Sequence, residues 1–233
     1  MVAIYSLKRE FPMRSLVILL IVVPVLTGAC KYRIHDQVVG SGNGQVQKRD
    51  VPSFDSISTE GALDIKVVCQ KPQTLEVEGD DNILPLISTE VSNQVLHIRI
   101  LHNYSVQDSI KLRISVPNLN FLSVSGAGKI DVSGLKNDKF EMDVNGRPTL
   151  RVSGETKFAD IDARGAGKID AHNLLATRAL VDSKGVARVE VHAIEELNVD
   201  ISGPSHVIYE GSPVVNKTVH GPGSVEKRQS TGA

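Results

Sequence analysis

The chain has 233 residues, enough for one domain or two small ones. Its 26 basic and 27 acidic side chains give a formal net charge of −1, so there is no electrostatic basis for binding nucleic acid. Trp is absent and aromatic residues make up 4% of the chain, so the composition does not indicate a stacking surface for bases or sugars.

The N-terminus has the pattern of an export signal. Lys8, Arg9 and Arg14 form a positive segment, which is followed by an apolar run from Leu16 to Leu26. This run is too short to cross a bilayer as a helix, which takes about 20 apolar residues. We therefore predict a signal peptide over residues 1–29 that is removed from the mature protein.

The string LTGAC, which ends at Cys30, resembles a bacterial lipobox. In that motif the Cys receives a diacylglycerol group and becomes the new N-terminus. Thr27 departs from the usual Leu, Val or Ile, and the alternative is an ordinary secretory signal cut near Ala29. We predict lipidation of Cys30. Lys31 is not the Asp that retains lipoproteins in the inner membrane, so we expect an outer-membrane lipoprotein of the cell envelope.

The stretch after the lipidated Cys is rich in glycine and polar residues, particularly from Val38 to Asp50. This composition predicts a flexible tether over residues 30–50. The second cysteine, Cys69, shares its parity with Leu63, Ile65 and Val67, so we predict a buried, unreactive thiol.

From Val51 onward the hydrophobic pattern has a period of two. Apolar and polar residues alternate over 63–69, 96–100 and 110–116. This alternation is typical of strands with one buried face, and it predicts an all-β domain.

A longer repeat is superimposed on this alternation. GAGKID occurs at 126–131 and again at 165–170, and glycines recur at intervals of 18 to 20 residues: Gly126, Gly146, Gly165, Gly185, Gly203 and Gly221. Four positions before them stand Leu122, Met142, Ile161, Val181, Val199 and Lys217. A unit of about 19 residues with an apolar column predicts a β-solenoid over residues 51–228, in which each rung packs on its neighbours. The glycines would provide corner conformations that side chains disfavour.

The last repeat is more polar than the earlier ones. Lys217 and Lys227 occupy positions that are mainly apolar in earlier repeats, as expected of a capping rung. Residues 229–233 are predicted to be a disordered tail.

Three strings carry a family resemblance: FDSISTEGALDIKV, KLRISVPNL and FLSVSGAGKIDVSGL. They resemble the head GIN domain family of exported bacterial proteins, described as putative auto-transporter adhesin heads, from Val51 to Arg228. The resemblance implies a right-handed β-helix-like fold at the cell envelope and an adhesive role. It implies no catalytic residues.

Acidic residues stand three positions before four of the glycines. Asp143, Asp162, Asp182 and Asp200 would be stacked about 4.8 Å apart, where carboxylates repel unless they are bridged or screened. One hypothesis is a calcium site, because calcium accepts several oxygen ligands in flexible geometry. The alternative is a solvated face neutralised by Arg164 and Lys184.

A second candidate column lies seven positions after three of the glycines and contains His172, His192 and Glu210. Two imidazoles and a carboxylate could hold a zinc-class ion with an open coordination position. The alternative is that these are ordinary surface residues.

Two strings, Asp55-Ser56-Ile57 and Asp108-Ser109-Ile110, are similar to the sequon for O-glycosylation in Bacteroidota envelopes. They make Ser56 and Ser109 candidate glycosylation sites.

We therefore predict a non-catalytic envelope interaction or adhesion module that needs no cofactor, calcium apart. The lipid would hold the protein at the membrane, and the domain would bind an unknown protein or glycan partner. Self-association into a homo-oligomer is a further alternative. The competing prediction is a carbohydrate-active or metal-dependent enzyme that uses the acidic surface formed by the aspartate column.

Overall fold

The structure, a computed structural model, describes residues 37–229. The predicted signal peptide, Cys30 and all but the first residue of the predicted tail lie outside this range. Within it the chain forms β-strands and one 3₁₀ turn, Leu84–Leu86, which confirms the all-β prediction. No helix in this part of the chain is long and apolar enough to cross a membrane.

Fourteen strands occur in the described range, and all but β1 and β7 belong to one large sheet. Their bounds are β1 Val38–Val39, β2 Gly44–Lys48, β3 Ser56–Cys69, β4 Thr74–Asp80, β5 Ile87–Ser92, β6 Val95–Ile100, β7 Tyr104–Ser105, β8 Lys111–Val116, β9 Phe121–Gly165, β10 Lys168–Gly185, β11 Arg188–Ser202, β12 His206–Glu210, β13 Val214–His220 and β14 Ser224–Lys227. β1 and β7 form a separate two-stranded parallel sheet.

The order of strands along the large sheet is β14-β12-β11-β10-β9-β3-β8-β4-β2. The pairs from β3 through β9, β10, β11 and β12 to β14 are parallel, whereas β2 with β4, β4 with β8, and β5 with β6 are antiparallel. β13 adds to β11 in parallel. The antiparallel strands therefore lie at the N-terminal end and the parallel strands make up the rest.

The parallel pairs align like residues with like. Val181 pairs with Ile161 on one side and with Val199 on the other. All three side chains are buried, as are Leu122 and Met142 of the same predicted column. Along each strand, the buried residue of this column is followed by a half-buried or exposed polar residue. The core therefore runs from strand to strand through the parallel pairs, as the period-two pattern predicted.

Gly165 and Gly185 are required for two physical reasons. Both have positive φ, 131° and 144°, which side chains disfavour. A Cβ atom on Gly165 would also lie 2.4 Å from the carbonyl oxygen of Gly146, and one on Gly185 would lie 2.4 Å from that of Gly165. The repeated glycines therefore stack backbone on backbone, in addition to providing the corner conformation expected from the sequence.

The predicted tether is wrong for the part that the structure describes. Gly44–Lys48 forms β2 and pairs with Glu76–Asp80 of β4, and Val38–Val39 pairs with β7. The five side chains of β2 are all exposed, so the strand lacks an apolar alternation. Its pairing depends on backbone hydrogen bonds, which a glycine-rich polar sequence can also make.

Candidate functional site on the acidic face

The aspartate column predicted from the sequence lies across adjacent strands. Asp182 of β10 pairs with Asp162 of β9 and with Asp200 of β11. The pKa of Arg164 is raised first by its hydrogen bond to Asp162 and the charge of Asp162, and then by the charge of Asp143. Asp143 therefore lies close to the same group. Neighbouring strands are about 4.8 Å apart, so these carboxylates form a ladder on one face.

Two basic side chains neutralise the middle of the ladder. Arg164 bonds to Asp162, and Nζ of Lys184 lies 2.9 Å from Oδ2 of Asp182. The hydrogen bond to Asp182 raises the pKa of Lys184. These contacts are the ones expected from a neutralised surface, the alternative to calcium.

The neutralisation leaves one oxygen of each carboxylate unused. Oδ1 of Asp162 and Oδ1 of Asp182 are buried and have no hydrogen-bond partner among the described residues. The side chains as a whole remain 27% and 35% exposed. The calcium hypothesis therefore stays a prediction, with Asp162 and Asp182 as the residues best arranged to provide ligands.

The structure adds two carboxylates that the glycine alignment missed. Burial raises the pKa of Asp160, and the charge of Glu141 raises it further, with smaller contributions from Asp162 and Asp182. Asp160 and Glu141 stand two positions before Asp162 and Asp143, so the period of two could have identified them. We call the set Glu141, Asp143, Asp160, Asp162, Asp182 and Asp200 the acidic face.

The second predicted column is wrong in its register. His192 pairs with Glu210 as expected, but its partner on β10 is Leu175, because the register shifts between Ala171 and Leu175. His172 lies within this irregular segment. Counting forward from the glycines assumes that the register is unbroken within each repeat, so this bulge makes the count misplace His172.

His172 instead belongs to a different group, with Asp170 and Glu190. One ligand atom from each residue lies within 4.8 Å of the others. Nδ1 of His172 contacts Asp170. Burial acts to raise the pKa of Asp170, but the hydrogen bond to His172 and the charge of His172 lower that pKa below its ordinary value. Asp170 of β10 pairs directly with Glu190 of β11. Glu190 was not predicted from the sequence as a site residue.

The oxygens of Glu190 are already occupied. Arg188 donates from Nε to Glu190 at 3.0 Å, and Arg228 bonds to its second oxygen. Glu190 is 8% exposed, so the two guanidinium groups compensate a buried charge. The two arginines would compete with a zinc-class ion for Glu190, and we describe the set as an ion-pair network that fastens the segment containing Arg228.

The remaining candidate residues differ in accessibility. Ser109 is exposed in the connection between β7 and β8, whereas Ser56 is half-buried at the start of β3 and donates to Oδ1 of Asp55 at 2.8 Å. Cys69 is 3% exposed, and burial raises its pKa to about 11, which confirms the prediction of a buried thiol. Glycosylation at either serine stays a prediction.

A family model described as "putative auto-transporter adhesin, head GIN domain" matches residues 53–213. A putative adhesin from Bacteroides fragilis is 24% identical with a TM-score of 0.66, covering 82% of this chain and 100% of its own. A putative adhesin and a putative lipid binding protein from Parabacteroides distasonis are 22% and 19% identical, each with a TM-score of 0.56 and covering 83% of this chain and 100% of their own. These similarities show a shared fold. No curated protein matches the chain.

Proposed function

Because the chain belongs to the head GIN domain family, we propose that it is a non-catalytic adhesion or interaction module of the bacterial cell envelope. The signal over residues 1–29 exports it, and a lipid on Cys30 anchors it in the outer membrane. A protein or a glycan is its partner. The family description and the names of structural relatives, which are putative adhesins, support this proposal.

We further propose that the domain is a right-handed β-solenoid with rungs of about 19 residues. The parallel registers support this, since they join residues one repeat apart, such as Val181 with Ile161. Hydrogen bonds support it as well: the Ser205 hydroxyl donates to the carbonyl of Gly185, 20 residues earlier, and Oγ of Ser205 accepts from the amide of Ala187, 18 residues earlier.

The observation that carries the adhesion proposal is the ladder of Asp162, Asp182 and Asp200 on three adjacent strands. It repeats one chemical group at a fixed spacing along an open face. Such a surface can contact a repetitive partner at several points, and several weak contacts add up to useful affinity. An enzyme instead needs convergent groups in a cleft that excludes water.

A binding experiment tests this proposal. The full chain, reconstituted in vesicles, is incubated with envelope fragments from its own cells, and the bound fraction is measured by co-sedimentation with labelled vesicles. We expect Asp162→Asn with Asp182→Asn to lose most of the binding. The matched control is Asp131→Asn with Asp138→Asn, which changes the charge equally at two exposed carboxylates off the ladder. Equal binding by both double variants would contradict a role for the acidic face.

One observation favours the competing enzyme. The pKa of Asp160 is raised by burial and then by the charge of Glu141, and glycosidases likewise use a carboxyl group whose pKa is raised as their general acid. If the domain were such an enzyme, the wild-type chain would release reducing ends from envelope polysaccharide and Asp160→Asn would not. We expect no release from either protein.

A further inference from the structure

We propose that the edge of the domain formed by β1, β7 and Leu101 lies against the membrane, with Val39 and Leu101 in contact with lipid. This inference rests on the lipid anchor at Cys30 proposed above. We call this surface the β1–β7 edge, and the occupant to which we assign it is the bilayer that holds the anchor.

The first argument is the length of chain between the anchor and the fold. Val38, the first residue of β1, is eight residues after Cys30. At about 3.6 Å per residue, even a fully extended chain spans no more than about 29 Å. By contrast, the path from β2 to β14 crosses nine strands. At about 4.8 Å between neighbours, the two ends of that sheet are roughly 40 Å apart. The anchor therefore holds the β1 end of the domain close to the membrane.

The second argument is that hydrogen bonds hold β1 to the rest of the domain. Detaching β1 to lengthen the segment between Cys30 and the fold would therefore cost free energy. The amide of Val38 donates to the carbonyl of Asn103 at 3.0 Å, and that of Gly40 donates to Ser105 at 2.8 Å. The side chain of Asn82 donates to the carbonyl of Val39 at 2.8 Å. Each of these backbone groups would have to exchange its partner for water if β1 detached.

The third argument is the chemistry of the β1–β7 edge. Val39 is 70% exposed and Leu101 is 57% exposed, so both present aliphatic surface to solvent in the isolated domain. Tyr104, which pairs with Val38, is half-buried, and its hydroxyl lies 3.3 Å from the carbonyl oxygen of Ala62. Aliphatic side chains beside a tyrosine are typical of protein surfaces at the boundary of hydrocarbon and head groups.

Exposed apolar residues also occur at the other end of the sheet, notably Val214 in β13, which is 68% exposed. The anchor does not bring Val214 to the membrane, because β13 pairs with β11, which is six strands away from β2 in the order of the sheet. Val214 therefore provides a control position of the same residue class and similar exposure. In the proposed orientation β13 and β14 point away from the bilayer and stay accessible to a partner.

The test uses the full chain, lipidated in a bacterial host, with one introduced cysteine: Leu101→Cys or, as the control, Val214→Cys. A polarity-sensitive fluorophore reacts selectively at the introduced site, because the diacylglycerol thioether blocks the sulfur of a lipidated Cys30 and the buried thiol of Cys69 has a pKa of about 11. Each labelled protein is reconstituted in phosphatidylethanolamine and phosphatidylglycerol vesicles containing acyl-chain nitroxide lipids. We expect a blue shift and loss of most fluorescence at position 101, and little change at 214.

Flotation of the same samples separates the two ways in which the test can fail. A chain that stays in solution overturns the lipid anchor and this inference with it. A chain that floats with an unquenched probe at position 101, or with equal quenching at 101 and 214, overturns the inference alone. Val39→Cys is the second reporter on the same edge if Leu101→Cys does not fold, and it must be quenched in the same way.

Discussion

Ile161 and Asp162 are neighbours in β9 with opposite environments. Ile161 is fully buried against the equivalent positions of the next strands, whereas Asp162 is half-buried on the acidic face beside other carboxylates. Ile161→Ala should therefore cost about 2–5 kcal/mol of unfolding free energy, because it leaves a cavity. Asp162→Ala should change it by no more than about 0.5 kcal/mol, or raise it, because repulsion is relieved. Urea unfolding of the two variants measures both changes, and a larger loss for Asp162→Ala would invalidate the register.

A second residue-scale prediction concerns Gly165, which has a positive φ of 131° and no room for a Cβ atom above the carbonyl of Gly146. Gly165→Ala should destabilise the domain by at least roughly 1–3 kcal/mol, the usual cost of a side chain in such a backbone conformation. Gly44→Ala in β2 is the matched control, because nothing lies within 4 Å of its added Cβ. Thermal melting compares the two, and equal melting temperatures would contradict the backbone stacking of glycines.

A third prediction follows from the pKa of Cys69, which burial raises to about 11. Since the folded pKa exceeds that of the free thiol, the folded state favours the neutral form. The thiol should therefore resist iodoacetamide at pH 8 and react when the chain is unfolded in urea. The same shift makes stability fall as the pH rises above about 9, where the unfolded thiol ionises. Rapid alkylation of Cys69 in the native protein would contradict its burial.

At the scale of strands, the sequence predicted those elements that bury one face. Ile161, Val181 and Val199 could be aligned because each is apolar at the same position of its repeat. β2 could not be predicted, because its five side chains are all exposed and its pairing with β4 depends on the backbone. His172 was misplaced for a different reason: counting forward from the glycines assumes an unbroken register, and the register shifts between Ala171 and Leu175.

The acidic face crosses three strands, and its calcium hypothesis is tested at that scale. A ligand that binds only the folded state stabilises it by about 2.7 kcal/mol at a hundredfold excess over its dissociation constant. If calcium bridges the ladder, millimolar calcium should raise the melting temperature of the wild type. Asp162→Asn with Asp182→Asn should abolish the rise, because the unpartnered Oδ1 atoms of these residues are the expected ligands. An unchanged melting temperature in calcium would mean that the basic side chains alone neutralise the face.

For the whole molecule, the proposed location at the cell envelope depends on the proposed lipid anchor. The fold provides a β-rich body whose N-terminal strand is fastened to β7, and family membership suggests a cell-surface role. Lipidation is predicted from the sequence around Cys30, where Thr27 departs from the usual motif, so it needs a direct test.

Replacing Cys30 provides that test. Cys30→Ser removes the thiol that would carry the diacylglycerol, and with it most of the hydrocarbon that could partition into a bilayer, at about 0.8 kcal/mol per buried CH₂. The variant should therefore move from the membrane pellet to the soluble fraction after cell lysis and ultracentrifugation. Cys69→Ala, which alters a buried cysteine inside the domain, should stay in the pellet and controls for general effects of losing a thiol. A Cys30→Ser protein that pellets like the wild type would require a different anchor. The proposed contact of Val39 and Leu101 with lipid would then lose its basis, whereas the strand register and the acidic face would be unaffected.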